Sequence, residues 1–169
     1  MQKYVFRKYN TEYLKFFKEE KKKLAKTLGP SAKIEQVGST AIPHLGGKGI
    51  LDIVVGVSKS KIMKAKKRLE KAGYEFREKA STPERLFFRR DYPYKNRKRR
   101  IHIHLTKFNS KDWKEMVGFR DYLLKHPEVV KEYSKIKKEA VKKALGDGEK
   151  YRKYKESFIQ NVLKKALKH

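Results

Sequence analysis

Residues 37–43 read VGSTAIP and residues 49–57 read GILDIVVGV, and these two stretches decide which fold the chain adopts. The second stretch is a continuous, β-branched run, which is typical of a strand buried on both faces. It contains one carboxylate, Asp52, and burying an ionised carboxylate is costly unless another group pairs with it. The Gly38-Ser39 turn just upstream offers backbone N–H groups and a hydroxyl. Together the two stretches indicate a phosphate-and-metal site beside a sheet.

Length and composition limit the classes of protein that the chain can be. Its 169 residues suit a single domain with a sizeable core, and 38% hydrophobic residues are enough to fold it. The absence of cysteine excludes a disulfide framework, a thiolate zinc site and a cysteine nucleophile. The sequence shows no apolar segment of signal-peptide length and no run near the roughly 20 residues that span a bilayer. We therefore expect a soluble, cytoplasmic protein with no membrane contact.

The net charge is extreme. Lysine and arginine number 46 against 19 aspartates and glutamates, which gives a formal net charge of +27. Such a field attracts polyanions, among them RNA, DNA and nucleotides. Lys- and Glu-rich helices are also common in thermophile proteins. A thermophile-like composition explains many charges of both signs, but it does not explain the excess of positive charge.

The pattern of apolar residues predicts an α/β core over residues 1–108 and a helical extension over residues 109–169, in one domain. Strands are expected at 4–6, 34–37, 50–57, 74–77, 86–90 and 100–106, with residues 91–96 as a basic loop between the last two. Helices are expected from Asn10 or Thr11 to Leu28 and from Ser58 or Ser60 to Lys71. Three more follow Asn109 or Ser110, separated at Pro127 and at the 146–148 turn.

The Gly38-Ser39 turn is the first candidate for binding phosphate. Glycine permits a positive φ and close backbone approach, and Ser39 can place N–H and hydroxyl donors on a phosphate oxygen. The nearby GGKG segment at 46–49 does not have P-loop spacing, although Lys48 can reach a phosphate. Arg89 is a candidate for a bidentate phosphate contact. The alternative is an ordinary strand-end turn with a serine cap and solvated cations around it.

Asp52, His102 and His104 are the candidate reactive residues. Strand alternation places Asp52 with Val54 on one face, and it places both histidines on one face of a later strand. An aspartate beside alternating histidines can bind a metal or, with protonated imidazoles, hold phosphate, and His44 can bring a third imidazole. The alternatives are a buried aspartate paired with a loop or an arginine, and a polar strand face packed under a helix.

Four segments of the sequence resemble motifs of the GrpB-like family: residues 35–43, 51–53, 100–104 and 119–123. The resemblance extends to residues 151–159 and so covers nearly the whole chain. It implies an α+β fold similar to the nucleotidyltransferase superfamily, a mixed sheet with flanking helices. In that superfamily a Gly-Ser turn holds a triphosphate, two carboxylates one residue apart on the next strand bind magnesium, and a third carboxylate lies on a later strand.

Carried over residue by residue, Gly38 and Ser39 match the turn and Asp52 matches the first carboxylate. The second position is Val54, which cannot ligate a metal, and the best candidates for the third are His102 and His104. Three hypotheses remain open. The histidines replace the missing ligands around a different metal, or they act as acid, base or phosphate ligand with one ion at Asp52, or the site binds a nucleotide or RNA and catalyses nothing.

The leading prediction is transfer of a nucleotidyl group from a nucleoside triphosphate to an unknown acceptor, assisted by a divalent metal, magnesium or a transition metal. RNA or another polyanion is a possible partner, and the alternative is a non-catalytic nucleotide- or RNA-binding module. The predicted catalytic and metal-binding residues are Asp52, His102 and His104. The predicted phosphate-binding residues are Gly38, Ser39, Thr40, Lys48 and Arg89.

Overall fold

The computed structural model describes residues 7–168, so the strand predicted at 4–6 lies outside the described residues. Helix α1 (Glu12–Leu28) leads into β1 (Lys33–Val37), β2 (Leu51–Val57) and α2 (Ile62–Lys71). Strands β3 (Glu75–Phe76), β4 (Arg85–Tyr94) and β5 (Arg97–Lys107) complete the sheet. Three helices follow: α3 (Lys111–Lys125), α4 (Pro127–Ala144) and α5 (Gly148–Ala166). This order confirms the predicted α+β class.

The five strands form one mixed sheet in the order β1-β2-β5-β4-β3. Strands β2 and β5 are parallel and central, and the other neighbouring pairs are antiparallel. In the parallel pair, Asp52 is in register with His102 and Val54 with His104. Because side chains in register share a face of the sheet, this pairing places both imidazoles on the face of Asp52.

The two faces of the sheet are covered by different helices. Leu51, Ile53 and Val55 of β2 point toward α1 and α2 and belong to the main hydrophobic core. Val54 points the other way and packs with Val37 and Trp113 under the helical extension. Strand β2 is therefore buried on both faces as predicted, with Asp52 on the side of α3, α4 and α5.

The ends of the helices follow the sequence signals. Ser110 caps α3 by accepting a hydrogen bond from the Trp113 N–H, and Pro127 opens α4. Asp147 caps α5 by accepting hydrogen bonds from two backbone N–H groups of its first turn. These caps fix where the helical extension turns back on itself, over the face of the sheet that carries Asp52.

The basic loop predicted at 91–96 is wrong in extent. Residues 91–94 continue β4 and pair with residues 97–100 of β5, leaving a two-residue turn of Lys95, with φ +52°, and Asn96. Tyr92 and Tyr94 share one face of β4 and pack toward α1, where the Tyr94 hydroxyl donates to Glu12 at 2.5 Å. Pro93 is tolerated because β3 does not reach this part of β4, which leaves it at an edge of the sheet.

Candidate functional site

Asp52 lies at the start of β2 with two imidazoles facing the same oxygen. His102 Nδ1 is 3.6 Å from Asp52 Oδ1, and His104 Nε2 is 3.5 Å from that atom. The Asp52 side chain is 27% exposed, so a ligand can reach it. The structure thus confirms that these three side chains meet, which the alternation of the two strands predicted.

The Gly38 turn packs against the other carboxylate oxygen of Asp52, Oδ2. Gly38 has φ +74°, and a Cβ atom built there would lie 2.6 Å from Asp52 Oδ2. Only glycine satisfies both the backbone conformation and this approach. The turn and the aspartate therefore form one unit, with Ser39 directly after it.

The protonation of Asp52 follows from two opposing effects. Burial alone raises its pKa, but hydrogen-bonding and charge interactions with His102 and His104 hold the pKa well below the ordinary value. The carboxylate is consequently ionised throughout the physiological range. It provides a fixed negative charge in a site that is otherwise surrounded by cations.

A polar cavity of about 190 Å³ lies on one side of Asp52 and is lined by cations. Lys48 comes from the loop before β2, Lys137 from α4 and Lys155 from α5. A Cβ atom on Gly47 would collide with Ser39 Oγ and lie 2.9 Å from Lys137 Nζ, so the hydroxyl and the ammonium are close neighbours. The other lining residues are Gly38, Leu45, Ile50, His102, Phe119, Tyr133 and Tyr151.

The surroundings of these three lysines disfavour their protonated, charged form. Burial and the neighbouring lysine cations lower the pKa of Lys137 to about 7 and that of Lys155 to about 8. Burial also lowers the pKa of Lys48, against the opposing pull of Asp52. Lys137 is only 6% exposed and donates to the Gly46 carbonyl at 3.3 Å, and its ammonium lies over the Tyr133 ring. An anionic ligand would relieve this crowding of positive charge.

A second cavity, of about 290 Å³, lies on the other side of Asp52 and is mainly apolar. Its polar side chains besides Asp52 are His104 and Glu115, and His104 Nδ1 is buried with no hydrogen-bond partner in the described residues. Gly38, Asp52 and Phe119 line both cavities. The other lining residues are Val37, Met116, Ile159 and Leu163.

Two side chains predicted to bind phosphate have other partners. Thr40 is buried, and its hydroxyl and carbonyl oxygens accept hydrogen bonds from Gln36 Nε2, so it shapes the turn and does not line the polar cavity. Arg89 lies on the face of Asp52 but two strands away, where Glu75 pairs with it at 3.6 Å. The order of the strands separates Arg89 from the cavity, because β5 lies between β2 and β4.

His44 does not join the other two imidazoles. It is exposed and has φ +67°, and it lines a separate groove against α3 and α4 with Leu123 and Pro127. The loop after the Ser39 turn carries His44 away from the sheet. Lys48, by contrast, lies in the polar cavity, as do Gly38 and Ser39.

The sequence analysis missed Lys137 and Lys155, although the sequence carries a signal for them. The buried residues of α4 are Val130, Tyr133, Lys137, Ala140 and Ala144, with the three- and four-residue spacing of one helix face. A lysine in such a stripe is either costly or functional, because a long cation is not buried without a reason. Lys155 likewise falls four residues after the buried Tyr151 on α5.

The donors present do not fit the two-magnesium centre that the fold implies. Magnesium prefers oxygen ligands, and Val54 occupies the second carboxylate position. In residues 7–168, no three His, Cys, Asp or Glu side chains are arranged to hold a metal ion. A metal held by Asp52, His102 and His104 together stays a prediction. In the structure both imidazoles face one carboxylate oxygen of Asp52, at 3.6 and 3.5 Å.

Comparison with known proteins decides the family. The family model described as GrpB protein matches residues 4–165. The chain belongs to the GrpB family. The glutamate-rich protein GrpB of Alkalihalophilus pseudofirmus is 31% identical over 158 residues, covering 92% of this chain and 91% of that protein. The crystal structure of the conserved protein GrpB from Enterococcus faecalis superimposes with a TM-score of 0.83 at 28% identity, covering 97% of this chain and 98% of the other.

The fold extends beyond the GrpB family. A chain in the structure of the GLD-2/RNP-8 complex matches with a TM-score of 0.54 at 13% identity, over 79% of this chain and 55% of that one. The shared architecture is a mixed sheet with flanking helices, the α+β fold that the sequence resemblance implied. At this identity the likeness is one of fold alone. Across residues 7–168, no helix is both long and apolar enough to cross a membrane.

Proposed function

We propose that this GrpB-family protein transfers a nucleotidyl group from a nucleoside triphosphate to an acceptor hydroxyl. One observation carries the proposal: three lysines and the Ser39 hydroxyl line a cavity that also contains the Asp52 carboxylate and the His102 imidazole. Cations with depressed pKa values, gathered around a glycine-serine turn, suit a polyphosphate better than any neutral ligand.

The two cavities beside Asp52 suit the two halves of a nucleotide. The lysine-lined cavity takes the triphosphate, with Ser39 and Lys137 next to each other on its wall. The apolar cavity takes the base and ribose against Phe119, because a base presents flat apolar faces that pack on an aromatic ring. The reacting α-phosphorus then lies near Asp52, which both cavities share.

In this arrangement His102 is the general base. Its Nδ1 faces Asp52, which orients the ring and stabilises the imidazolium, and its Nε2 accepts the proton of the acceptor hydroxyl. The acceptor oxygen forms a bond to the α-phosphorus, and the bond from that phosphorus to the bridging oxygen breaks. The electron pair leaves with pyrophosphate, whose growing charge is stabilised by Lys48, Lys137 and Lys155. A divalent cation bound to the triphosphate would neutralise part of its charge, and no residue role above depends on it.

The second candidate function is nucleotide binding without catalysis. The observation that favours it is Val54, which leaves β2 with one carboxylate where a two-metal mechanism needs a pair. The lysine-lined cavity serves this function equally well. The two candidates differ only in turnover.

The test is an assay for pyrophosphate release and labelled product. The protein is incubated with each of four labelled nucleoside triphosphates, Mg²⁺ or Mn²⁺, and total RNA. Wild-type protein should turn over, and Asp52→Asn should lose about 100-fold or more of the rate while keeping its fold by circular dichroism. Asp112→Asn, at the start of α3 and outside both cavities, is the matched control and should retain its rate.

Bound nucleotide without turnover under every condition would contradict transfer and leave the binding function. An Asp52→Asn variant that turns over like wild type would contradict the role of the carboxylate.

A further inference from the structure

The β4–β5 hairpin extends well past the rest of the sheet. Strand β2 begins at Leu51, opposite Ile101, and β3 reaches only to Arg89 of β4. Residues 91–94 and 97–100 therefore pair only with each other, in a two-stranded segment that we call the hairpin arm (residues 91–100). The arm begins two residues from the row that holds Asp52 and His102.

The arm is strongly basic. Residues 95–100 carry five cations, and the only acidic residue of the arm is Asp91. The three cations nearest the turn, Lys95, Arg97 and Lys98, are exposed. The other two are held in place: Arg99 lies over the rings of Phe16 and Tyr94, and Arg100 pairs with Asp91 at 2.9 Å. Such ordering lowers the conformational entropy that Arg100 loses when it binds an anion, while Arg99 fastens the arm to α1.

One face of the arm leads to the candidate site. Lys98, Arg100 and His102 alternate along β5, so they share the face of Asp52 and follow one another at intervals of roughly 7 Å. The opposite face of the arm packs on α1 through Tyr94 and Arg99. Beyond His102, the half-buried Phe87 ring continues this face, with its centroid 4.7 Å from that of His102.

We propose that the hairpin arm binds a single-stranded polynucleotide and directs its end toward Asp52, so that the acceptor of the reaction is a nucleic acid. The identification of the polynucleotide as the acceptor rests on the proposed function. The binding of the polynucleotide to the arm does not require turnover. Lys98 and Arg100, spaced along the face that leads to His102, suit a backbone with one charge per nucleotide, whereas the triphosphate has its own lysines inside the cavity. The aromatic Phe87 beside His102 offers a surface for a terminal base.

The test measures binding of a fluorescent 20-nucleotide RNA, and of the DNA with the same sequence, by anisotropy at several NaCl concentrations without nucleotide. The arm variant is Lys95→Gln, Arg97→Gln and Lys98→Gln together. The matched control is Lys64→Gln, Lys67→Gln and Lys71→Gln, three exposed lysines of α2 on the far face of the sheet. Both triple variants lower the formal net charge equally, from +27 to +24. A single Lys98→Glu variant repeats the test with one substitution.

The arm variant should bind the oligonucleotide about tenfold or more weakly near 0.1 M NaCl, and the slope of log K against log salt should fall by about 2. The α2 control should stay within about threefold of wild type, and Lys98→Glu should weaken binding in the same direction. If the wild-type protein binds one of the two oligonucleotides more tightly, we infer that this type of nucleic acid is the acceptor.

Equal losses in the two triple variants would show that the net charge alone attracts nucleic acid, and would overturn the proposal. So would an arm variant that binds oligonucleotide normally, or one that loses only binding to anionic lipid vesicles. Nucleoside triphosphate affinity, measured separately, should be unchanged in the arm variant. Failure of the arm and failure of the nucleotide site are therefore distinguishable.

Discussion

Asp52 is an ionised carboxylate in the most apolar strand of the chain, and its surroundings explain how it is tolerated there. Two imidazoles face one oxygen and the Gly38 turn closes against the other. The lysines of the polar cavity lie farther out and act on the carboxylate through charge. An aspartate with only a structural role would not need three lysines with lowered pKa values beside it, so the cluster indicates a site for an anion.

Replacing Gly38 tests whether the turn and the carboxylate form one unit. In Gly38→Ala the new Cβ collides with Asp52 Oδ2 and the backbone keeps a φ of +74°, so we expect a loss of about 2 kcal/mol in the free energy of unfolding. Nucleotide affinity should fall with it. Urea unfolding and titration with a nucleoside triphosphate measure the two effects.

Gly29→Ala is the control for this substitution. Gly29 also has a positive φ, +91°, but a Cβ there meets nothing within 4 Å. It should lose about 1 kcal/mol from backbone strain alone and bind nucleotide normally. Equal nucleotide affinity in Gly38→Ala and Gly29→Ala would contradict the role of the turn.

The lysines predict how nucleotide affinity depends on pH. Lys137 and Lys155 titrate near pH 7 and 8 in the free protein, with Lys48 and Asp52 as their charged neighbours. A bound triphosphate stabilises the ammonium form and raises these pKa values, so binding above pH 7 takes up protons. Affinity should therefore fall by about tenfold or more between pH 7 and pH 9.

Calorimetric titrations in buffers of different ionisation enthalpy measure this proton uptake directly. The double variant Lys137→Met and Lys155→Met should show a much flatter pH profile. An affinity that is constant or rises toward pH 9 in the wild type would contradict the assignment of these lysines to phosphate.

At the scale of elements, the sheet was predictable because its signals are local. The β-branched run identifies β2, and the alternation of isoleucine and histidine identifies β5 and the face of its imidazoles. The caps at Ser110 and Pro127 likewise act within one turn of chain. The register that brings Asp52 beside His102 follows from those patterns and a parallel pairing of the two strands.

The rest of the site depends on contacts distant in sequence. Lys137 reaches the Gly46 carbonyl across 91 residues, and no local pattern tells which way α4 folds back. The displacement of Arg89 from the cavity is set by sheet order, since β5 lies between β2 and β4. The sequence does contain one signal, which is that Lys137 falls on the apolar face of α4. The three- and four-residue spacing of the buried residues identifies that face.

Arg120 is the residue that ties the helical extension to the sheet beside the site. Its guanidinium donates to Glu35 at 2.9 Å, to the Gln36 carbonyl at 2.9 Å and to Asp121. Arg120→Met leaves these acceptors without a donor at the junction of α3 and β1. We expect a loss of about 1–3 kcal/mol in the free energy of unfolding, measured by urea denaturation.

Arg77→Met is the matched control, because Arg77 forms an exposed pair with Glu75 at 2.7 Å. An exposed pair contributes about 1 kcal/mol or less, so this variant should unfold near the wild-type midpoint. If the Arg120 variant were no less stable than the Arg77 variant, the junction would not depend on the guanidinium.

At the scale of the whole molecule, the site belongs to neither half of the chain alone. The sheet and its loops contribute Ser39, Lys48 and Asp52, and the helical extension contributes Lys137 and Lys155. The long-range field of a chain with net charge +27 concentrates anions near its surface, while the cavity selects among them. General attraction and specific binding are thus separate properties that separate variants can resolve.

The most direct test of the central claim is a calorimetric titration with a nucleoside mono-, di- and triphosphate in turn. Wild-type affinity should rise with each added phosphate, and Lys137→Met with Lys155→Met should weaken triphosphate binding by about tenfold or more. The control is Lys131→Met with Lys135→Met, two exposed lysines of the same region of α4 that lie outside the polar cavity, and it should stay within about threefold of wild type. Equal affinity for all three nucleotides, or unchanged triphosphate affinity in the Lys137 and Lys155 variant, would contradict a triphosphate site beside Asp52.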